Sequence, residues 1–317
     1  MRHHVVAIPT FKRPEAIARA LDAVLPQLAD LPHGESASLL VVDNDPAESG
    51  REAVQSRGVR YVVEPSPGIA AVRNRALHEC SGATTVIFLD DDEVAEPGWL
   101  AAITRVYRDL QPTAVAGKVL TPLPRDVDRW VRASGAFERP KRHHLQLMPE
   151  AATNNLLLDC AAVERLKLRF NEQFGLTGGS DSMFTRLLTQ RAGTIRWAED
   201  AVVVEQEDPA RFSRNWVLMR MFRFGNSATR VNVTLEATAL GRLRARTLMV
   251  FRGAVRIVGG AIRWLRGVLT RSLLHRSRGL ITVYRGAGMI AGSAGYAYNE
   301  YGRRRRTAER AASKPGS

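Results

Sequence analysis

The chain has 317 residues, enough for one large domain or for one domain with a sizeable appendage. Apolar residues make up 45% and charged residues 25%, a globular mix that excludes wholesale disorder and collagen-like repeats. Lys and Arg outnumber Asp and Glu by 46 to 32, a net +14, and the two cysteines, Cys80 and Cys160, exclude a disulfide framework and point to a reduced, cytosolic compartment.

Residues 3–8 (HHVVAI) read as a short buried strand ending at Pro9. A helix is expected from Pro14 to about Leu25, with proline in its first turn. Further strands are expected at 38–42 (SLLVV), 59–63 (VRYVV) and 84–89 (TTVIFL), with a helix from about Ile69 to Cys80 and another from Pro97 through Tyr107. Residues 121–150 carry four prolines and read as an irregular insertion. A helix over 182–190 and one or two strands over 195–204 follow. Strands alternating with helices predict βαβ units and a mostly parallel sheet. Polar clusters follow the strands at their carboxyl ends: Pro9-Thr10, Asp43-Asn44, Pro67-Gly68 and Asp90-Asp91-Asp92. In open α/β sheets that edge is where ligands bind.

Charge is unevenly spread. From Arg211 onward 22 Lys and Arg face three acids, Glu236, Glu300 and Glu309, while the first 210 residues are net negative. Asymmetry of this kind points to an anionic surface, membrane or nucleic acid. The opening Met1-Arg2-His3-His4-Val5-Val6-Ala7-Ile8-Pro9 has too short an apolar run for a secretory signal. No stretch reaches the roughly 20 apolar residues that a membrane span needs.

Asp90-Asp91-Asp92 holds three adjacent carboxylates at a strand end, which need a counter-charge to stay together. A hard divalent cation, Mn2+ or Mg2+, supplies one, and oxygen ligands with substrate phosphates suit it. The plainer alternative is a solvated acidic turn. Asp43 also ends a strand; it reads either as an acceptor for a base imide N–H or as the centre of an Asx turn closed by Pro46. Arg73 lies on the helix after Pro67-Gly68, either reaching a phosphate with its planar fork or facing solvent. Gly178-Gly179-Ser180-Asp181 places an acid at a helix start, as a cap, as a general base, or as both.

The order Ile8-Pro9-Thr10-Phe11, Val42-Asp43-Asn44, Pro67-Gly68 with Arg73-Asn74, Phe88-Leu89-Asp90-Asp91-Asp92 and Gly178-Gly179-Ser180-Asp181 resembles family 2 glycosyltransferases of the GT-A fold. The segments 42–46 and 67–77 are most similar to the bacterial exopolysaccharide, succinoglycan-type branch. The resemblance spans about residues 4–225 and implies a Rossmann-like sheet flanked by helices. It implies transfer of a sugar, with inversion, from a nucleotide-diphosphate donor to a hydroxyl of a glycan or lipid-linked glycan. Thr10, Arg13, Asp43 and Arg73 would line the nucleotide site, with Asp91 at the ribose. Asp90 and Asp92 would hold the metal, and Asp181 would be the base. Ser180 stands where many relatives carry Glu, and Arg211-Phe212-Ser213-Arg214-Asn215-Trp216 matches the family's QxxRW element only loosely. A polyprenyl-phosphate sugar synthase is the alternative activity. A nucleic-acid-binding protein ranks below it, since the chain has no RRM, KH or zinc-finger signature.

In the basic third, Arg252, Arg256, Arg263 and Arg266 share one helical sector, with Val258, Ile262, Trp264, Leu265 and Leu269 opposite. That pattern predicts an amphipathic helix at an anionic membrane surface, with a helix packed on the catalytic domain as the alternative. Gly259-Gly260 predicts an interruption in it. The expected organisation is a catalytic domain over 1–225, a basic helical region over 226–301 and a disordered tail over 302–317. The expected location is peripheral, on the inner face of the plasma membrane, with no nucleic-acid partner.

Overall fold

The computed structural model describes residues 1–206 and 208–299. In chain order the elements begin with β1 (Arg2–Thr10), α1 (Pro14–Val24), β2 (Glu35–Asp43), α2 (Arg51–Gln55), β3 (Arg60–Val63) and α3 (Ile69–Glu79). Next come β4 (Thr85–Leu89), β5 (Glu93–Ala95), α4 (Trp99–Leu110), β6 (Ala114–Leu120), α5 (Arg129–Ser134), β7 (Asn155–Asp159) and α6 (Cys160–Arg165). The chain continues through α7 (Ser180–Gln190), β8 (Ile195–Glu205), α8 (Arg214–Thr234), α9 (Ala239–Leu269) and α10 (Leu273–Ser293). The described residues form two compact units: one of 1–122, 140–175 and 180–206, the other of 123–139, 176–179 and 208–299.

The first unit is built on one eight-stranded sheet in the order β3-β2-β1-β4-β7-β6-β8-β5. Strands β3, β2, β1 and β4 run parallel, as βαβ connections require. Strand β7 enters antiparallel between β4 and β6, so the sheet is mixed beyond β4. The central strands carry continuous apolar runs, Val5–Ile8 of β1, Val86–Leu89 of β4 and Leu156–Leu158 of β7, because both faces are covered. Val6, Ile8, Ile87 and Leu89 face a core completed by Ile17 and Leu21 of α1 and Trp99 and Ile103 of α4. Val5, Ala7, Val86 and Phe88 face the opposite core, with Ala76 of α3 and Phe184 and Leu188 of α7. Helix α1 buries Ile17, Ala20, Leu21 and Val24, the spacing of one helical stripe.

Strands β5, β6 and β7 are absent from the sequence expectation. The first is three residues long, and the second is interrupted by Gly117 and Lys118, where its pairing with β8 shifts register. A Cβ at position 117 would overlap the Asn155 side chain. That side chain accepts from Trp99 Nε1 at 2.9 Å and donates to the carbonyls of Lys118 and Ala201 at 3.1 and 2.9 Å. The expected irregular insertion over 121–150 is corrected in part: it contains α5, capped by Asp128, with Trp130 and Val131 buried.

The second unit is helical. Trp130, Val131 and Val217 form its small core, and Trp216 stacks on Phe137 at 5.8 Å. Helix α10 packs against α8 and α9 through glycines. A Cβ on Gly260 would lie 2.8 Å from the Gly279 carbonyl oxygen, and one on Gly288 would overlap that of Phe222. Glycine there permits backbone-to-backbone approach. This corrects the expected interruption: α9 runs unbroken through Gly259-Gly260, because Gly260 is buried against α10. The expected boundary at residue 225 falls inside α8. No described helix is long and apolar enough to cross a membrane. The expected tail over 302–317, with Arg303 to Arg306, lies outside the described residues.

Candidate active site

Strand β4 is buried along its whole length and delivers Asp90 at its carboxyl end. The chain then turns, Glu93 N donating to Asp90 O at 3.1 Å. Within the turn the three aspartates separate. Asp91 is buried: Thr10 Oγ1 donates to its Oδ2 at 2.8 Å and Arg13 Nη1 to its Oδ1 at 3.0 Å. The same Arg13 nitrogen reaches Asp92 Oδ2 at 3.2 Å. The outer pair is more open, with the Asp90 side chain 33% exposed and that of Asp92 19%.

Arg73 projects from α3, whose entry is shaped by Gly68. That residue has φ +116°, and its Cα sits against the Gly175 backbone. The guanidinium is buried and lies 3.5 Å from Asp90 Oδ1. It also donates to Ser180 Oγ at 3.3 Å and stands 5.7 Å over the Phe170 ring. Arg73 therefore joins the end of β4 to the start of α7. Asp181 is in the first turn of α7, and its Oδ1 accepts from Ser182 N at 2.9 Å.

These carboxylates act on one another. Burial pushes the Asp90 carboxyl up to about 6; Arg73 opposes the shift, while Asp92, Asp91 and Asp181 add to it. Asp91 is raised as well, first by burial, against the pull of Arg13. Glu93, which the sequence reading gave no role, is buried and pushed up to about 9, mainly by burial and then by Asp90. Its Oε1 accepts from Asn154 at 2.6 Å, and its Oε2 has no hydrogen-bond partner among the described residues. The site thus concentrates negative charge beyond what its two arginines offset.

No group of three or more His, Cys, Asp or Glu among the described residues is arranged to hold a metal alone. Two partly open carboxylates, Asp90 and Asp92, fit a magnesium-type ion that takes one or two protein ligands and completes its shell from substrate phosphates and water. The donor set is therefore compatible with a divalent ion shared with a ligand.

Asp43 ends β2 and is fully buried. Its Oδ1 accepts from Asp45 N at 2.8 Å, and its Oδ2 from Gly50 N at 2.9 Å and Tyr61 Oη at 2.7 Å. The carboxylate organises the turn over 43–50; contact with a base would be additional to this role. Asn44 pins the neighbouring loop, donating to the carbonyls of Glu64 and Ser66 and accepting from Gly68 N. Hydrogen bonds and ion pairs join Thr10, Arg13, Asp91 and Asp92 in one set and Arg73, Asp90 and Ser180 in a second, with Asp181 next in the chain to Ser180. The segment over 211–216 belongs to the helical unit, where Ser213 caps α8 and Arg214 pairs with Asp128 at 2.7 Å. The missed contributors are Tyr61, Glu93 and Asn154. Only Glu93 carried a sequence signal, by extending the acidic run.

A mixed sheet whose parallel half carries an Asp-x-Asp turn at its carboxyl edge, with a buried arginine tying that turn to an aspartate-bearing helix start, has the architecture of a glycosyltransferase of the GT-A fold. The chain belongs to glycosyl transferase family 2, whose model matches residues 5–166. It is 28% identical over 235 residues to the succinoglycan biosynthesis protein ExoM of Rhizobium meliloti (strain 1021), covering 72% of this chain and 75% of that one. Among solved structures it resembles the mannosyltransferase PcManGT from Pyrobaculum calidifontis in complex with GDP-Man and Mn2+. That match has TM-score 0.60 and 17% identity, covering 91% of this chain and 86% of the other. It also resembles S. aureus TarS 1-349, with TM-score 0.51 and 16% identity over 94% and 93% of the two chains.

Proposed function

We propose that this family 2 enzyme moves a sugar, with inversion, from a nucleotide-diphosphate donor to a hydroxyl of a glycan or lipid-linked glycan in cell-surface polysaccharide synthesis. The observation that carries the reading is the position of Arg73, 3.5 Å from Asp90 and 3.3 Å from Ser180, which ties the Asp90–Asp92 turn to the helix start that bears Asp181. The relative ExoM supports the exopolysaccharide setting, and PcManGT, solved with GDP-Man and Mn2+, supports a nucleotide-sugar donor.

Asp90 and Asp92 would hold Mn2+ or Mg2+ against the donor diphosphate. Such an ion neutralises the negative charge that develops on a departing diphosphate. Arg73, anchored between Asp90 and Ser180, presents a planar fork to the same phosphates. Thr10 and Arg13 hold Asp91 rigid, so that its neighbours keep fixed positions, and Asp91 serves the ribose side. Asp43 walls the nucleoside side by holding the turn over 43–50. Asp181 accepts the acceptor hydroxyl's proton as that oxygen attacks the anomeric carbon from the face opposite the leaving group. The basic helical region attaches the enzyme peripherally to an anionic membrane surface, on the cytoplasmic face where a lipid-linked acceptor is reached.

The test is thermal stabilisation by a panel of nucleoside diphosphates with and without Mn2+. A metal-dependent rise in Tm with one nucleotide supports the reading, through preferential binding to the folded state. Absence of any response across the panel overturns it.

A further inference from the structure

Residues 148–154 form neither helix nor strand, yet they are tied to two elements that bear site residues. At one end they meet α7. Thr185 is fully buried one helical turn after Asp181. Its Oγ1 accepts from Ala151 N at 3.2 Å, and its one proton has two carbonyl acceptors in reach, Asp181 O at 2.9 Å and Ala151 O at 3.1 Å. Thr189, a turn further on, reaches Pro149 O at 3.1 Å. At the other end Asn154 donates to Glu93 Oε1 at 2.6 Å, directly after Asp90-Asp91-Asp92. Glu93 N in turn donates to Asp90 O at 3.1 Å. Asn155 pairs with Leu89 across β7 and β4, so Asn154 precedes that pairing and Asp90 follows it.

Two connections therefore run from the acidic turn to α7. One is Arg73, between Asp90 and Ser180. In the functional reading above Arg73 also meets the donor diphosphate, and an anion that draws on its fork weakens its hold on Asp90. The other is the segment 149–154, held by backbone groups, two threonines and the Asn154–Glu93 pair. None of those groups touches donor or metal in that reading, so this connection persists when ligand arrives. Threonine is a weak helix former, and a hydroxyl bonded back to residue i−4 adds nothing to a helix, so what Thr185 gains at its position is the link to Ala151.

We propose that residues 149–154 brace Asp181 at a fixed separation from the Asp90–Asp92 turn, with Thr185 and Asn154 as positioning residues for the transfer. The proposal rests on the reading of Asp181 as the general base. A reacting group displaced by about 1 Å loses on the order of a hundredfold in rate. The test is hydrolysis of a panel of UDP-, GDP- and dTDP-hexoses by the full chain with Mn2+, which needs no identified acceptor. Water takes the acceptor's place: its oxygen bonds to the anomeric carbon, one of its protons passes to Asp181, and the nucleoside diphosphate departs.

Thr185→Val and Asn154→Ala should each lower kcat by roughly ten- to a hundredfold, with donor KM and the Kd of the nucleoside diphosphate changed by less than about threefold. Thr185→Ser, which restores the hydroxyl, should return kcat to within about threefold of wild type. The double variant should lose less than the product of the two single losses, since either change breaks the same brace. Losses that multiply assign the two residues to independent packing and overturn the proposal. A raised KM with unchanged kcat moves their role to donor binding and overturns it as well. Inactive Asp181→Asn beside fully active Thr185→Val leaves the base standing and removes the brace. Wild-type turnover by Asp181→Asn, or no turnover of any donor by the wild type, overturns the base and the brace together. Circular dichroism checks that each variant is folded; Asn154 is only half-buried, and its variant carries the kcat-against-KM test if Thr185→Val does not fold.

Discussion

The guanidinium of Arg73, on α3, lies 3.5 Å from the carboxylate of Asp90 at the carboxyl end of β4. A second nitrogen of the same fork donates to Ser180, so one side chain spans the strand bearing Asp90 and the helix bearing Asp181. Lysine keeps the charge and loses the fork. Arg73→Lys is expected to lower transfer by roughly ten- to a hundredfold, the value of a charge-assisted hydrogen bond, with the circular dichroism spectrum unchanged. Steady-state kinetics on the folded variant would check this; unaltered turnover would remove Arg73 from the site.

Asp92→Ala and Asp181→Asn separate the two halves of the chemistry. The first should abolish both transfer and metal-dependent binding of the nucleoside diphosphate, read by titration calorimetry. The second should retain that binding and lose transfer by about a hundred- to ten-thousandfold, the range of a general base. A phosphate acceptor has no hydroxyl proton to surrender, so an active Asp181→Asn would favour the polyprenyl-phosphate sugar synthase.

His4 is fully buried on β1, its Nδ1 2.7 Å from Thr85 Oγ1 and its Nε2 3.7 Å from Glu35. Burial holds its pKa below the usual 6.5, with Glu35 opposing the shift. Below pH 6.5 the unfolded chain therefore binds more protons than the folded one, and stability falls as pH drops through that window. Urea unfolding at pH 7.5 and at about pH 5.5 should show the loss, and His4→Asn should flatten it. An unchanged slope in the variant would place the effect elsewhere.

Cys80 and Cys160 are both free thiols, each pushed up to about 12, with burial the leading cause. Only the thiolate is nucleophilic, so native protein at pH 8 should resist iodoacetamide, whereas urea-unfolded protein should label at both sites. Mass spectrometry counts the adducts. Rapid labelling of either thiol in the native state would contradict the burial.

Gly288 leaves no room for a methyl group beneath the Phe222 carbonyl. Gly288→Ala should destabilise the α8–α10 contact by about 1–3 kcal/mol, seen as a lowered Tm. Gly259→Ala, where nothing lies within 4 Å of the added carbon, should be neutral or mildly stabilising.

Strands β1, β2 and β4 were legible because burial on both faces gives each an apolar run ended by polar residues, as in Val86-Ile87-Phe88-Leu89-Asp90. Strand β6 was not, because Gly117 and Lys118 break the pattern and its identity comes from pairing with β7 and β8. In the same way the aspartates of the site were visible as a motif. The neighbouring pair Glu93 and Asn154 was not, because it acquires meaning only once the turn after β4 meets the chain entering β7. Asp43 shows the reverse, a residue singled out for ligand chemistry that the structure finds engaged by three internal donors. The length of α9 was hidden for another reason. Its glycines argue against helix locally and for it only in the presence of α10.

Between residues 237 and 299 every cation other than histidine is arginine. Guanidinium groups keep their proton at any pH a cell reaches, and enzymes that acetylate lysine amines find no substrate in this stretch. Under the peripheral attachment proposed above, the hold of α9 and α10 on anionic lipid would have no chemical dimmer of that kind. Raising ionic strength, or depleting the acidic lipid itself, is what would loosen it.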